Sequence, residues 1–233
     1  MQTNSLSANI DPEDIQNAPL GSTVYEKLKS AILSRQILPG TPLQESELGT
    51  LFQVSRTPVR EALHELLREE LVRRHGRFYQ VSEMSTHEIG HLYELREALE
   101  RMAVQLCIER GDDEAIGRLA HILTQQMRAL EDKDNNRLIR LDSQFHLQIA
   151  KLTGNQFLYQ QLVYVHDKVI LIRGQVPSTT PTWSDRVIIE HERILSALTR
   201  RDTAVADAEM RYHLNSVVRL HRGLTQKPLG STF

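Results

Sequence analysis

Asp142 and His146 stand four residues apart in a stretch whose apolar positions, Leu138, Leu141, Phe145, Ile149 and Leu152, repeat with helical spacing. Side chains four apart on a helix project to the same side, so a carboxylate and an imidazole border one apolar face. His191 falls in a second such stripe with Val187, Ile194, Leu195 and Leu198, and His213 in a third with Ala206, Met210, Val217 and Leu220. A lone histidine on an apolar stripe is ordinarily a hydrogen-bonded core residue. Three of them with an acid ask for more, because burying these groups without partners costs several kcal/mol in sum. One divalent transition metal satisfies all four, and three imidazoles with a carboxylate suit zinc, nickel, copper or iron. Such a set leaves coordination positions open only at a five- or six-coordinate ion. The chemistry is then either binding of a small ligand, activation of water, or purely structural cross-linking.

These residues need long helices to carry them. After Ser85 the pattern predicts helices over 86–109, 113–133, 135–152, 156–175, 183–200 and 203–221. They are separated by Gly111-Asp112, Asp134-Asn135, Thr153-Gly154-Asn155, a Pro- and Thr-rich segment at 176–181, and Arg201-Asp202. This is an all-α six-helix bundle of about 140 residues, long enough for its own core. Cys107, between Leu106 and Ile108, reads as core.

The chain before Ser85 is organised differently. Residues 1–20 carry three acids and no base and read as a disordered tail. From 21 to 83 three short helices precede a hairpin. Thr23 can cap the first helix, with Val24, Tyr25, Leu28, Ala31 and Ile32 inward. Leu38-Pro39-Gly40 is a turn, since proline fixes φ and glycine accepts positive φ. A second helix over 45–52 is followed by Gln53-Val54-Ser55, and Ser55 caps a third helix reaching to about 71. Leu71-Val72-Arg73-Arg74 and Phe78-Tyr79-Gln80-Val81 read as the two strands of a small hairpin around His75-Gly76.

A helix, a short turn and a second helix with an exposed polar N-terminal face is the geometry that enters a DNA major groove. Arg56 and Arg60 lie on one face of the entering helix, beside Thr57, and can reach base edges or phosphates. The hairpin, with Arg73, Arg74, His75 and Arg77, makes a wing. A solvated charged face is the plain alternative for a bare helix-turn-helix pattern, and the wing weighs against it.

Charge balance first argues the other way: 28 Lys and Arg against 30 Asp and Glu give a net charge of −2. Residues 21–83, however, hold nine bases and eight acids, and six of those bases fall on the third helix or the wing. The basic footprint is a stripe and not a bulk excess. Apolar residues at 40% and charged residues at 25% are ordinary for a globular protein. A single cysteine excludes an intrachain disulfide framework and fits a reducing, cytoplasmic compartment. No signal-peptide pattern and no membrane-length apolar run is present, so no membrane partner is expected.

The strings Leu43-Gln44-Glu45-Ser46-Glu47-Leu48, Val54-Ser55-Arg56-Thr57-Pro58-Val59-Arg60-Glu61-Ala62-Leu63 and Glu69-Glu70-Leu71-Val72 resemble the winged-helix domain of GntR-family bacterial regulators. Leu92-Tyr93-Glu94-Leu95-Arg96 with Glu100, Asp142-Ser143-Gln144-Phe145-His146, Thr153-Gly154-Asn155, Glu190-His191 and His213 resemble the FCD effector domain, in its smaller six-helix branch. The resemblance spans about residues 21–222. It departs at the wing, where Arg74-His75-Gly76-Arg77-Phe78 replaces the frequent Gly-Arg-Gly, and at Ser46, where some members carry arginine.

The resemblance implies that Arg56 and Arg60 contact operator DNA, with Ser55 and Thr57 at phosphates, Gly76 at the wing tip, and His75 and Arg77 beside it. It implies Asp142, His146, His191 and His213 as ligands of a divalent metal, zinc or nickel. Arg96 matches a pocket-facing position and can pair with an effector carboxylate or form a structural salt bridge; Arg173 is a second candidate. The expected fold is mainly α: a tail over 1–20, a winged helix-turn-helix over 21–83, an all-α effector and dimerisation domain over 84–223, and a tail over 224–233. The expected function is a homodimeric transcriptional repressor of a metabolic operon, on a roughly palindromic double-stranded operator, controlled by a small carboxylate. It is not expected to be an enzyme. The alternatives are a hydrolase-like activity of the metal site, which lacks an H-E-x-x-H string and an evident general base, and a purely structural metal.

Overall fold

The structure is a computed structural model describing residues 23–76, 78–175 and 185–225, with side chains through Arg219. The expected tail at 1–20, Arg77, the Pro-rich segment with Trp183, and most of the C-terminal tail lie outside the described residues. The chain divides into two compact units, one of Met1–Met84 with Asp167–Gln175, the other of Ser85–His166 with Val176–Phe233.

Among the described residues, the first unit holds three helices and three strands before residue 85, with a helical segment from 167 to 175. Helix α1 (Val24–Leu33) opens on a capping box: Thr23 accepts from the Glu26 backbone N–H, and the Glu26 carboxylate accepts from the Thr23 N–H. Strand β1 (Pro42–Leu43) follows a turn in which Gly40 takes φ +79°, and its N–H donates to the Val81 carbonyl. Helices α2 (Glu45–Phe52) and α3 (Arg56–Arg68) are joined by a tight turn in which Gln53 closes α2 in the left-handed region, φ 54°. Strands β2 (Val72–His75) and β3 (Phe78–Val81) pair antiparallel, and β1 adds to the other edge of β3, giving the order β1-β3-β2. The two-residue strand β1 is too short to leave a periodic signal. At the hairpin tip Gly76 has φ +62° with open space around it, so backbone conformation and not crowding selects glycine there.

The core of this unit joins Leu28 and Ile32 of α1, Leu43 of β1, Leu48 of α2, Val59, Leu63 and Leu66 of α3, and Tyr79 and Val81 of β3. It also contains Leu171, which explains why a piece of a later helix belongs here. In that piece Asp167 lies 3.1 Å from Lys29 Nζ, and buried Lys168 donates to the Glu69 carbonyl and lies 3.4 Å from Glu70. The sequence boundary near residue 84 therefore misses one return of the chain. A helix that serves two cores in succession shows no break in its pattern.

The second unit consists of helices α4 (Thr86–Arg110), α5 (Asp113–Gly117), α6 (Leu119–Glu131), α7 (Asn135–Leu152), the 156–166 part of α8 (Gln156–Gly174), α9 (Asp185–Thr199) and α10 (Thr203–Thr225). Helix α4 packs on α7 and α10, α6 on α7 and α9, and α9 on α10. A Ser85–Glu88 capping box opens α4, and Asp112, Asp134 and Asn155 accept from backbone N–H groups that open α5, α7 and α8. The helix expected over 113–133 is interrupted at Gly117-Arg118, where glycine lowers helix propensity and the His121 N–H bonds back only three residues, to Arg118.

One phase assignment is corrected. On α4 the helical repeat of Leu92, Leu95, Leu99, Ala103 and Leu106 in the sequence predicts an apolar stripe with Arg96 beside it. The buried face instead holds Leu92, Tyr93, Arg96, Glu100, Ala103, Val104 and Cys107, while Leu95 and Met102 are exposed. An inward face that carries a guanidinium and a carboxylate cannot be located by hydrophobicity alone. No helix among the described residues is long and apolar enough to cross a membrane.

Candidate metal centre and nucleic-acid interface

In the first unit, α3 presents Arg56, Thr57, Arg60, His64 and Arg68 to solvent. Arg60 is held in a two-point ion pair by Glu45 of α2, with Nε 3.3 Å from Oε1 and Nη2 3.0 Å from Oε2. Its hydrogen bond and charge, with the charge of Arg56, keep the Glu45 carboxyl below the usual carboxylate range. Glu45 thus fixes the exposed Arg60 guanidinium, a role its sequence context does not announce. Ser55 occupies the N-cap of α3, but its hydroxyl makes no capping bond, contrary to expectation. The opening N–H groups of α3 are thereby left without a side-chain cap, which suits them to receive a phosphate oxygen. On the wing, Arg73, Arg74, His75 and Gly76 are exposed. Arg74 lies over the Tyr79 ring at 5.3 Å and donates to its hydroxyl.

In the second unit, α7, α9 and α10 bring Asp142, His146, His191 and His213 together. One donor atom from each lies within 4.8 Å of the others, and all four residues are fully buried. His191 Nε2 and His146 Nε2 stand 3.5 and 4.0 Å from Asp142 Oδ1. Among the described residues, the Nε2 atoms of the three histidines have no hydrogen-bond partner, whereas each Nδ1 does. His146 Nδ1 lies 2.9 Å from Glu100 Oε2, His191 Nδ1 2.9 Å from Gln126 Oε1, and His213 Nδ1 3.0 Å from Glu190 Oε2.

These partners fix the tautomers. A carboxylate only accepts, so His146 and His213 carry their protons on Nδ1. Gln126 spends its amide N–H on the Leu141 carbonyl and turns its oxygen to His191, which imposes the same tautomer there. Burial, reinforced by the neighbouring positive groups, drives the His191 and His213 pKa values well below their ordinary 6.5 and keeps both rings neutral. Three bare Nε2 lone pairs around one carboxylate oxygen is the arrangement a divalent transition metal requires, with outer partners already orienting each ring. Phe145 stacks on His191 at 4.5 Å between ring centroids and walls the group.

Beside this group, Arg96 is fully buried on α4. Its Nε lies 3.1 Å from Glu100 Oε1, and its Nη1 and Nη2 have no hydrogen-bond partner among the described residues. Burial disfavours the guanidinium charge, but Glu100, Tyr93 and Asp142 outweigh it and raise the pKa. His166 of α8 places Nε2 3.0 Å from the same Glu100 oxygen. Burial likewise disfavours the Glu100 charge, yet the bonds from His146 and His166 and the charge of Arg96 hold it well below the usual range.

The structure thus unites the four expected metal-binding candidates and Arg96 in one unit. Arg173 falls in the first unit, where its charge acts on Arg35, and so does not share the unit of Arg96. Four participants carried weak sequence signals. Glu100 follows Arg96 by one helical turn, His166 continues the stripe of Leu158, Leu162 and Val169, Glu190 adjoins His191, and Gln126 sits among Ile122, Leu123 and Ala129.

A helix-turn-helix with a hairpin wing, followed by a helical bundle with a buried Asp/His cluster, is the architecture of a DNA-binding transcriptional regulator. Comparison with known proteins agrees. Residues 20–78 match the model of bacterial regulatory proteins, gntR family, and residues 91–216 match the FCD domain. The chain is 31% identical to the HTH-type transcriptional repressor NanR of Salmonella newport, covering 96% of this chain and 93% of that one. It is 27% identical to the repressor RspR of Escherichia coli, covering 90% and 92%. Among solved structures, a putative GntR regulator from Rhodococcus sp. RHA1 aligns with TM-score 0.76 at 22% identity over 86% of this chain and 96% of that one. E. coli McbR/YncC aligns with 0.74 at 20% over 86% and 95%. The protein belongs to the GntR family and carries an FCD domain; it is a transcriptional regulator.

Proposed function

We propose that this regulator is a repressor whose DNA affinity is set by a small organic acid bound beside a divalent transition metal, zinc or nickel, held by Asp142, His146, His191 and His213. The observation that carries this reading is the set of three buried Nε2 atoms without hydrogen-bond partners among the described residues, whose Nδ1 atoms are all satisfied. A structural core histidine spends its hydrogen-bonding capacity inside the core; these three leave it pointed at one place. When bound, the metal supplies a concentrated positive charge that attracts a carboxylate.

Arg96 orients the acid. Its Nη1 and Nη2 match the two oxygens of a carboxylate, and Glu100 fixes the guanidinium plane by accepting from Nε. Gln126, Glu100 and Glu190 hold the imidazoles in register. The reading head, with Ser55, Arg56, Thr57, Arg60, His75, Gly76 and Arg77, docks on a roughly palindromic operator as one half of a homodimer, protein symmetry mirroring the half-sites. Exposed Leu95 and Met102 on α4 offer apolar surface to a second copy. The acid changes DNA affinity by its differential affinity for two arrangements of the protein, typically ~1–3 kcal/mol.

The test is zinc and nickel titration of the full chain after dialysis against chelator, beside a His191→Ala, His213→Ala double variant. One tightly bound equivalent, lost in the variant, is expected. Equal binding by the two proteins overturns the assignment.

A further inference from the structure

The pairing register of the wing sorts its side chains onto two faces. His75 stands opposite Phe78 and Arg73 opposite Gln80, so these four share one face, while Val72, Arg74, Tyr79 and Val81 share the other. The second face closes the core of the first unit: Val72, Tyr79 and Val81 are buried in it, and Arg74 lies over the Tyr79 ring. The first face points away from that core. Alternation asks for polar residues there, yet at the hairpin end it holds Phe78, 52% exposed.

A lone exposed apolar residue needs no explanation in itself. Phe78 carries three marks of a contact residue. It stands at the tip of the hairpin, where Gly76 at φ +62° has open space around it. Exposed Arg73 and His75 flank it on its own face, and the sequence from 71 to 82 contains no acid, so the patch draws anions. It also belongs to the unit that carries the recognition helix. A bare phosphate rewards the cations and not the ring. A DNA groove rewards both, because its walls are phosphates and its floor is the edges of stacked bases. The recognition helix takes the major groove, and a hairpin beside it meets the neighbouring minor groove across the backbone. Phenylalanine is one of the side chains that wedge between base steps there and kink the duplex.

We propose that Phe78 is such a wedge: on operator binding its ring enters the minor groove flanking each half-site and unstacks one base step, with Arg73 and His75 at the phosphates beside it. This rests on the reading head proposed above and is independent of the metal and the acid. Pyrimidine–purine steps, TA and CA, unstack most readily. The wedge therefore gives the protein a sequence preference at a step that no hydrogen bond reads.

The experiment uses the full chain and duplexes that it selects from a random pool, labelled at both ends for energy transfer. Wild-type protein should enrich a TA or CA step outside the segment read by α3 and bring the duplex ends closer, as a kink of about 20–90° does. Phe78→Ala should bind about tenfold more weakly, the effect of losing one buried aromatic ring, with the kink and the step preference gone. Its salt dependence should match wild type, because an apolar contact releases no counterion, and its melting temperature should be unchanged. Phe78→Leu, a smaller wedge, should keep part of the kink. A duplex left straight by the wild-type protein overturns the wedge whatever the variants do. A Phe78→Ala protein that kinks the duplex and prefers the same step as wild type also overturns it. So does a lowered melting temperature in Phe78→Ala, since the ring then serves the fold. If no sequence is enriched, the reading head itself fails, and this inference with it.

Discussion

Gln126 touches no expected metal ligand atom, yet its replacement by methionine should weaken metal binding strongly. In the native arrangement its oxygen accepts from His191 Nδ1 at 2.9 Å and its amide donates to the Leu141 carbonyl at 3.1 Å. Methionine fills similar volume and offers neither bond. His191 then has a better tautomer available: with its proton moved to Nε2 it can donate toward Asp142 Oδ1, 3.5 Å away. That rearrangement softens the cost to the metal-free fold, which should fall within the ~1–3 kcal/mol of one unmet buried polar group. It also puts a proton on the nitrogen that must receive the metal. Restoring the binding tautomer, with Nδ1–H unpaired, should cost 10–100-fold in affinity, the usual effect of losing an outer-shell partner, or about 1.4–2.7 kcal/mol. Zinc affinity measured by competition with a chromophoric chelator, alongside the melting temperature of the metal-free protein, reads both quantities. Zinc affinity within threefold of wild type in a folded Gln126→Met protein would refute the tautomer argument.

Two other expectations follow from the same geometry. Arg56→Ala and Arg60→Ala should each weaken operator binding and reduce its salt dependence by about one counterion, with melting unchanged, since both side chains are exposed; fluorescence anisotropy at several salt concentrations checks this, and unchanged affinity removes that arginine from the reading set. Acid should destabilise the metal-free protein: the unfolded chain takes up protons at its histidines near pH 6.5, while folded His166 resists to about 4 and His191 and His213 also titrate well below 6.5. With three such groups, stability should fall by up to about 4 kcal/mol per pH unit between pH 6.5 and 4, and a melting temperature flat across that window contradicts the buried, neutral assignment.

What the sequence disclosed and what it withheld divide along physical lines. The reading head was legible because caps, turns and strand alternation are local: Thr23, Gly40 and Gly76 sit where their chemistry places them. Asp142, His146, His191 and His213 were legible because each interrupts an otherwise apolar stripe. Helix α4 was misphased because Arg96 and Glu100 face inward while Leu95 and Met102 face outward, inverting the rule on which phasing depends. His166 and Gln126 were passed over because each is an isolated polar residue, and their meaning appears only when three other helices supply Glu100, His191 and the Leu141 carbonyl. The return of 167–175 to the first unit is a long-range contact through Leu171 and carries no local mark.

The central claim is that an acid bound in the second unit alters the grip of the first unit on DNA. Its most direct test is the affinity of the zinc-loaded full chain for a duplex selected by the protein itself from a random pool, measured with and without saturating organic acid. The account predicts a change of about 5–150-fold, abolished by Arg96→Gln. Identical affinity with and without every acid that binds would contradict it.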